Sequence, residues 1–161
     1  MFLNNAIQLV VCCLDDGSYA LRLAAVERIV RAVEVTALPN APEVVLGVIN
    51  VKGRIVPVFN IRRRFKIKER DVELTDHFII ATAGKRVVAL VVDAVLGLIE
   101  RSDKEIVTPE TILSDMEYVE GVAKYEDGIV FIHDLGGFLS LGEEKQLDQA
   151  LKVTQGRAAD V

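Results

Sequence analysis

Two adjacent cysteines, two separate histidines and one pair of close glutamates are the side chains best suited to chemistry in this chain of 161 residues. Cys12 and Cys13 would need a nearby cation to become nucleophilic thiolates, and the sequence around them supplies none. Neighbours on a strand point to opposite faces, so the pair is expected to stay reduced, as small strand or core residues of a cytosolic protein. His77 and His133 stand alone and read as surface groups at strand ends rather than metal ligands. Glu117 and Glu120 flank a strand start and read as solvated charges rather than a general acid–base pair. Gly84-Lys85 lacks the upstream glycine and the following Ser or Thr of a phosphate-binding loop. No nucleophile elbow, zinc-protease helix or paired-cysteine site occurs. The expectation is a binding module, not an enzyme, with no catalytic residue, cofactor or metal.

The elements that would position a binding surface are strands. Twenty-four Val and thirteen Ile, with only 6% aromatic residues, favour a pleated and half-buried surface. At 51% hydrophobic and 27% charged, the composition excludes disorder, collagen and disulfide scaffolds. Apolar stretches flank a glycine turn four times: Ala6–Leu14 with Tyr19–Leu23, Val48–Ile55 around Lys52-Gly53, Phe78–Val92 around Ala83-Gly84-Lys85, and Tyr118–Ile132 around Glu126-Asp127-Gly128. Four hairpins in so short a chain predict small closed or nearly closed barrels, because closure removes exposed edges. Val26, Ile29, Val30 and Val33 fit helix and strand spacing alike; a short helix near Ala24–Glu27 running into a strand is expected. Asn60 is expected to cap a helix over Ile61–Phe65, and Asp134 one over Leu135–Leu141. Leu147, Ala150, Leu151 and Thr154 share one face of a C-terminal helix that Gly156 would end, with a frayed tail beyond it. The longest apolar run, Val87–Val92, is far short of the roughly 20 residues that cross a bilayer. Met1–Asn5 shows no secretory pattern, so neither export nor direct membrane insertion is expected.

Comparing the chain with itself is more informative than any local motif. Gly47–Ile61 aligns without a gap onto Gly121–Leu135, at an offset of 74 residues, with Gly-Val, Ile-Val and the Asn-Ile/Asp-Leu pairs coinciding. A weaker echo pairs Ala20–Val26 with Ala89–Val95, at an offset of 69. Two duplicated units, roughly 14–65 and 83–139, are expected within one domain over 1–142, followed by the helix and tail of 143–161. Strand exchange between the units would blur where each barrel begins.

Charge divides unevenly between the halves. Residues 1–80 carry 11 basic and 9 acidic side chains, and residues 81–161 carry 8 and 15. Lys52, Arg54, Arg62, Arg63, Arg64, Lys66, Lys68 and Arg70 face only Glu69 in their stretch, which reads either as a solvated face or as a surface for an anionic partner.

Leu38-Pro39-Asn40-Ala41-Pro42, Gly47–Gly53 and Pro57–Phe65 together resemble the signature of the CheW-like chemotaxis coupling proteins. Val91-Val92-Asp93, Gly121-Val122 and Asp127-Gly128 with Asp134-Leu135 extend the resemblance over about residues 6–141. It implies a β-dominant fold of two five-stranded SH3-like barrels sharing a core. It also implies a non-catalytic cytoplasmic adaptor between the helical hairpin tips of chemoreceptors and the regulatory domain of a CheA-type histidine kinase, recruited to membrane-bound receptor arrays. Mapped residue by residue, the receptor-facing positions are Val26, Arg28, Ile29, Asn50, Lys52 and Gly53, and the kinase or ring contact falls on Val107 and Ile112. Arg62 matches an arginine expected to order the fold.

Three departures stand out: Arg28 where many members are acidic, Lys52 for an arginine, and Asn60 for an aspartate. Arg28 is expected to change which receptor is accepted, since like charges at a rim exclude partners. Two rival readings stay open: a CheW-like scaffold of a non-chemotactic kinase pathway, and a nucleic-acid-binding barrel using the basic 52–70 stretch. The second is disfavoured because Phe59 and Phe65 are the only aromatics there for base stacking.

Overall fold

The computed structural model describes residues 6–15, 17–108 and 118–159, with 154–159 as backbone only. Ten strands are described: β1 (Ala6–Leu14), β2 (Gly17–Arg22), β3 (Val26–Arg31), β4 (Val45–Val51), β5 (Arg54–Phe59), β6 (His77–Ala83), β7 (Arg86–Val92), β8 (Ala94–Ser102), β9 (Val119–Tyr125) and β10 (Gly128–His133). Two α-helices accompany them, α1 (Ile61–Arg64) and α2 (Leu141–Ala159). The four hairpins expected from the turn glycines form β1–β2, β4–β5, β6–β7 and β9–β10. At the tip of β4–β5, Lys52 and Gly53 both have positive φ, of 53° and 82°, as a type I′ turn requires.

The strands form two five-stranded sheets of SH3-like barrel type, in the orders β8-β1-β2-β10-β9 and β3-β6-β7-β5-β4. Sheet positions correspond one to one across a shift of five strands. In each sheet three of the four strand pairings are antiparallel, and a single parallel pairing, β2 with β10 or β7 with β5, joins the hairpins. Each sequence repeat gives its opening hairpin to one sheet and its last three strands to the other, so the strands are exchanged. Each sheet also closes by the same isolated bridge, Thr36 with Val48 in one and Val107 with Val122 in the other.

The repeated Gly-Val explains itself at that closure. A Cβ on Gly47 would stand 2.2 Å from the Thr36 carbonyl oxygen, and one on Gly121 would stand 2.5 Å from Ile106 Cγ2. Only glycine lets the closing segment cross so near. The valines that follow, Val48 and Val122, are the bridge partners themselves.

Period-two alternation builds three apolar clusters. Leu9, Val11, Ala20, Val130 and Ile132 fill the first barrel, and Ile49, Val56, Val58, Phe78 and Ile80 the second. The opposite faces, including Cys12, Leu14, Ile79, Ala81, Val88 and Leu90, form a shared core between the barrels. Strands buried on both faces read as continuous apolar runs, which accounts for Val87–Val92. Leu147 and Ala150 of α2 seal the shared core, and Ser140 with Glu143 makes a reciprocal cap at the helix start.

Local details differ from the sequence expectations in four places. A single 3₁₀ turn, Leu23–Ala25, precedes β3 where a short helix was expected. Asn60 does not cap α1; its amide donates to Glu69 Oε1 at 2.7 Å instead. Asp134 does accept from Gly136 N, but over a 3₁₀ turn of Leu135–Gly137, and α2 starts only at Leu141. Helix α2 also runs through Gly156, since an interior glycine costs only about 1 kcal/mol and is no obligatory stop.

Candidate functional site

Strand β3 carries Val26 and Ile29, three residues apart, which on a regular strand would point to opposite faces. A β-bulge at Glu27 changes this. Val26 pairs with Ala81 and Arg28 with Ile80, leaving Glu27 as the extra residue. Val26 and Ile29 therefore lie opposite Ala81 and Ile79, on the shared-core face. Val26 is half-buried against that core, and Ile29 is 41% exposed at its margin. The apparent helical spacing of the sequence is a strand with a bulge.

The same device recurs on β8. Val95 pairs with Cys12 and Gly97 with Val11, so Leu96 is the extra residue and Val95 and Leu98 share a face. Val95 packs on the shared core, and Leu98 is 55% exposed. Two bulged edge strands, one from each barrel, thus flank the seam between the barrels with a matching apolar pair. Val95 and Leu98 were missed as site residues; their signal was the weaker echo of Ala20–Val26 in Ala89–Val95.

The structure does not keep all the expected receptor-facing residues together. Arg28 pairs with Ile80, which faces the interior of the second barrel, so Arg28 leaves the seam for the end of that barrel. Its Nε is buried without a hydrogen-bond partner. Asn50 Oδ1 accepts from Gly53 N at 2.7 Å, which makes Asn50 a maker of the exposed turn that carries Lys52. Arg54 beside that turn pairs with Glu27 at 2.8 Å, tying the β4–β5 tip to the β3 bulge.

Behind the seam, a charged network locks the crossover from β7 to β8. Arg62, 5% exposed, donates to Asp15 Oδ1 at 2.9 Å, the Lys68 carbonyl at 3.0 Å and Asp93 Oδ1 at 2.6 Å. Arg70 joins Asp93 to Asp76, and Asp93 Oδ2 accepts from the Asp15 backbone N–H. Burial alone would raise the Asp93 carboxyl, but the Asp15 N–H and the Arg62 and Arg70 guanidinium groups hold it below the usual carboxylate range. Arg62 orders the fold, as its motif implied.

The basic stretch is largely neutralised. Arg54, Arg62, Arg63, Arg64 and Arg70 all pair with carboxylates, which leaves Lys52, Lys66 and Lys68 of its eight cations without a salt bridge among the described residues. Val107 is half exposed, but its backbone closes the first barrel; Ile112 lies outside the described residues, as does Glu117. Glu120 is no free carboxylate, since Arg22 pairs with it. His133 corrects the surface expectation: it is 6% exposed, stacked on Phe65 at 3.9 Å, with neither ring nitrogen bonded. Burial pushes the Cys12 thiol up to about 12, far from a nucleophile. Among the described residues no group of His, Cys, Asp or Glu could hold a metal ion, and no helix is long and apolar enough to cross a membrane.

Known proteins carry the same arrangement. The CheW-like domain pattern matches residues 8–149. The chemotaxis protein CheW of Rhizobium meliloti is 31% identical over 134 residues, covering 82% of this chain and 86% of that protein. The chemotaxis protein CheW of Treponema pallidum is 25% identical over 150 residues, covering 89% and 88%. The crystal structure of the scaffolding protein TtCheW from Thermoanaerobacter tengcongensis superposes with a TM-score of 0.77 at 30% identity, over 85% of this chain and 90% of that one. Repeats, strand exchange and sequence pattern converge, and the chain belongs to the CheW-like family.

Proposed function

We propose that this chain is a non-catalytic adaptor that couples the cytoplasmic helical hairpin of a chemoreceptor to the regulatory domain of a CheA-type histidine kinase. One observation carries the reading: the seam flanked by Val26 and Ile29 on β3 and by Val95 and Leu98 on β8. A helix lays its apolar stripe into such a groove, and a few anchors supply most of the binding energy. The names of its relatives support the assignment, since they are chemotaxis and scaffolding proteins. Adaptor work needs no catalytic group, and it places the protein in the cytoplasm beside membrane receptors. The turn of Asn50, Lys52 and Gly53 borders the seam as a secondary contact, and Val107 belongs to the kinase-facing side.

The test is binding of a receptor hairpin fragment to the wild type, Ile29→Asp and Leu98→Asp. Ile29 and Leu98 are 41% and 55% exposed, so folding is expected to survive, as thermal melting checks, while receptor affinity falls at least 30-fold, or about 2 kcal/mol. Unchanged affinity in both variants would overturn the assignment. A nucleic-acid role has lost its main support, because five of the eight cations in the basic stretch are already paired within the protein.

A further inference from the structure

His133 is a buried titratable group that the coupling role leaves unused. It ends β10, and neither of its ring nitrogens has a hydrogen-bond partner among the described residues. Its ring is packed by both repeats. Phe65, the residue that follows α1, stacks on it with centroids 3.9 Å apart and planes 19° from parallel, and Tyr19 of β2 lies at 5.4 Å. Phe138 meets Phe65 and Tyr118 edge-on. Five rings thus tie the end of α1 to the first barrel.

That end needs the tie. A helix of four residues has too few hydrogen bonds to hold itself, so α1 depends on tertiary contacts. Lys66, next after Phe65, has a φ of 58°, and the chain reverses there. Only two hydrogen bonds close the reversal, Phe65 N–H to the Ile61 carbonyl and Ile67 N–H to the Arg62 carbonyl, each at 2.9 Å. The closest ring contact of Phe65 is His133.

A proton on His133 finds no partner in this packing. The Tyr118 carbonyl lies nearby but accepts from the Asp134 N–H. Asp134 itself caps Gly136 N, and Asp15 and Asp93 are paired with Arg62. Arg64 covers the Tyr118 ring and takes up Glu143. Arg62, Arg64 and Lys66 are like charges to an imidazolium, and Tyr19, its pKa raised by burial, stays neutral. Aromatic faces attract a cation but give its two N–H groups no acceptor.

We propose that His133 is an acid-sensitive latch: on taking up a proton it leaves its stack on Phe65 and frees the end of α1, while both barrels stay folded. Closed, the ring is neutral down to about pH 4; released, it binds a proton below about pH 6.5. The ratio of open to closed therefore rises as pH falls, by about tenfold at pH 5.5 relative to pH 7.5. Phe65 and Tyr19 pack on the same core as Val26 and Val95, so the latch links acidity to the core beneath the seam.

Hydrogen exchange of the purified chain, followed by NMR, tests this without receptor or kinase, so its failure leaves the coupling assignment standing. Protection of the Phe65 and Ile67 amides, corrected for intrinsic rates, is expected to fall about tenfold from pH 7.5 to 5.5. Low urea should leave that exchange unchanged, because a local opening exposes little surface. His133→Phe keeps a ring in the stack that cannot be charged, and its protection is expected to change less than twofold. Thermal melting at pH 7.5 checks that it folds, with His133→Leu as the second variant. The same pH dependence in a folded variant would overturn the latch. So would exchange at Phe65 and Ile67 that follows urea as steeply as the amides of Val58 and Ile80, since only global unfolding would then release His133.

Discussion

Arg62 shows how a single side chain can hold two barrels together. Removing its guanidinium leaves Asp93 with Arg70 alone and the half-exposed Asp15 without a cation, which costs about 2 kcal/mol. Arg62→Met is therefore expected to lower the urea midpoint by a corresponding amount, whereas Lys66→Met, at an unpaired and exposed cation, leaves it unchanged. A loss below about 1 kcal/mol would mean that the network contributes no net stability. His133 sets a second, pH-dependent weakness. Burial holds its imidazole neutral, with a pKa lowered to about 4, whereas the unfolded chain takes up that proton near the ordinary value of about 6.5. The unfolded state thus binds more protons below about pH 6.5, and stability falls between there and about pH 4, by at most about 1.4 kcal/mol per unit. Only below that range do Asp76 and Asp93, both held below the usual carboxylate range, add their own loss. Denaturant unfolding at pH 7 and 5 is expected to show a smaller difference for His133→Leu than for the wild type; an equal difference would refute the assignment. Arg62 was legible in the sequence because its neighbours form a motif. His133 was not, because nothing in a strand-end histidine reveals that Phe65 will cover it from a different repeat.

At the scale of elements, glycines and bulges set the geometry, and they differ in what they tolerate. Gly53 needs its positive φ but has open space around it, so Gly53→Ala is expected to cost about 1 kcal/mol. Gly47 faces the Thr36 carbonyl, a backbone atom that cannot rotate away, so Gly47→Ala must push the closing bridge apart and is expected to cost clearly more. Gly121→Ala should fall between them, because its obstacle is the Ile106 side chain. Urea midpoints for the three variants check the order. The four hairpins were readable because turn glycines and alternation are local signals. Strand β8 was not: its bulge breaks the alternation at Leu96, and its partner β1 lies about 90 residues away in sequence. The Val26 and Ile29 spacing misled for the same reason, since a bulge shifts the phase of a strand without altering its composition.

For the whole molecule, duplication was visible in the sequence and exchange was not, because self-comparison aligns units without saying which sheet each strand joins. The consequence is physical. Residues 1–73 contain β1 to β5 and residues 74–161 contain β6 to β10, so each half holds two strands of one barrel and three of the other. Neither half can complete a five-stranded sheet, and either alone would expose half of the shared core to water. An isolated hairpin is marginal at best, so each fragment is expected to be unfolded alone. Mixed in equal amounts, the two should recover the native β signal in far-UV circular dichroism, through the four pairings that cross between them, β1 with β8, β2 with β10, β3 with β6 and β5 with β7. The intact chain should then unfold in one transition observed alike by circular dichroism and by Tyr fluorescence, because the shared core couples the barrels. A fragment that folded cooperatively by itself would show instead that a repeat can close its own barrel, and that exchange is one of two accessible pairings rather than the one the chain requires.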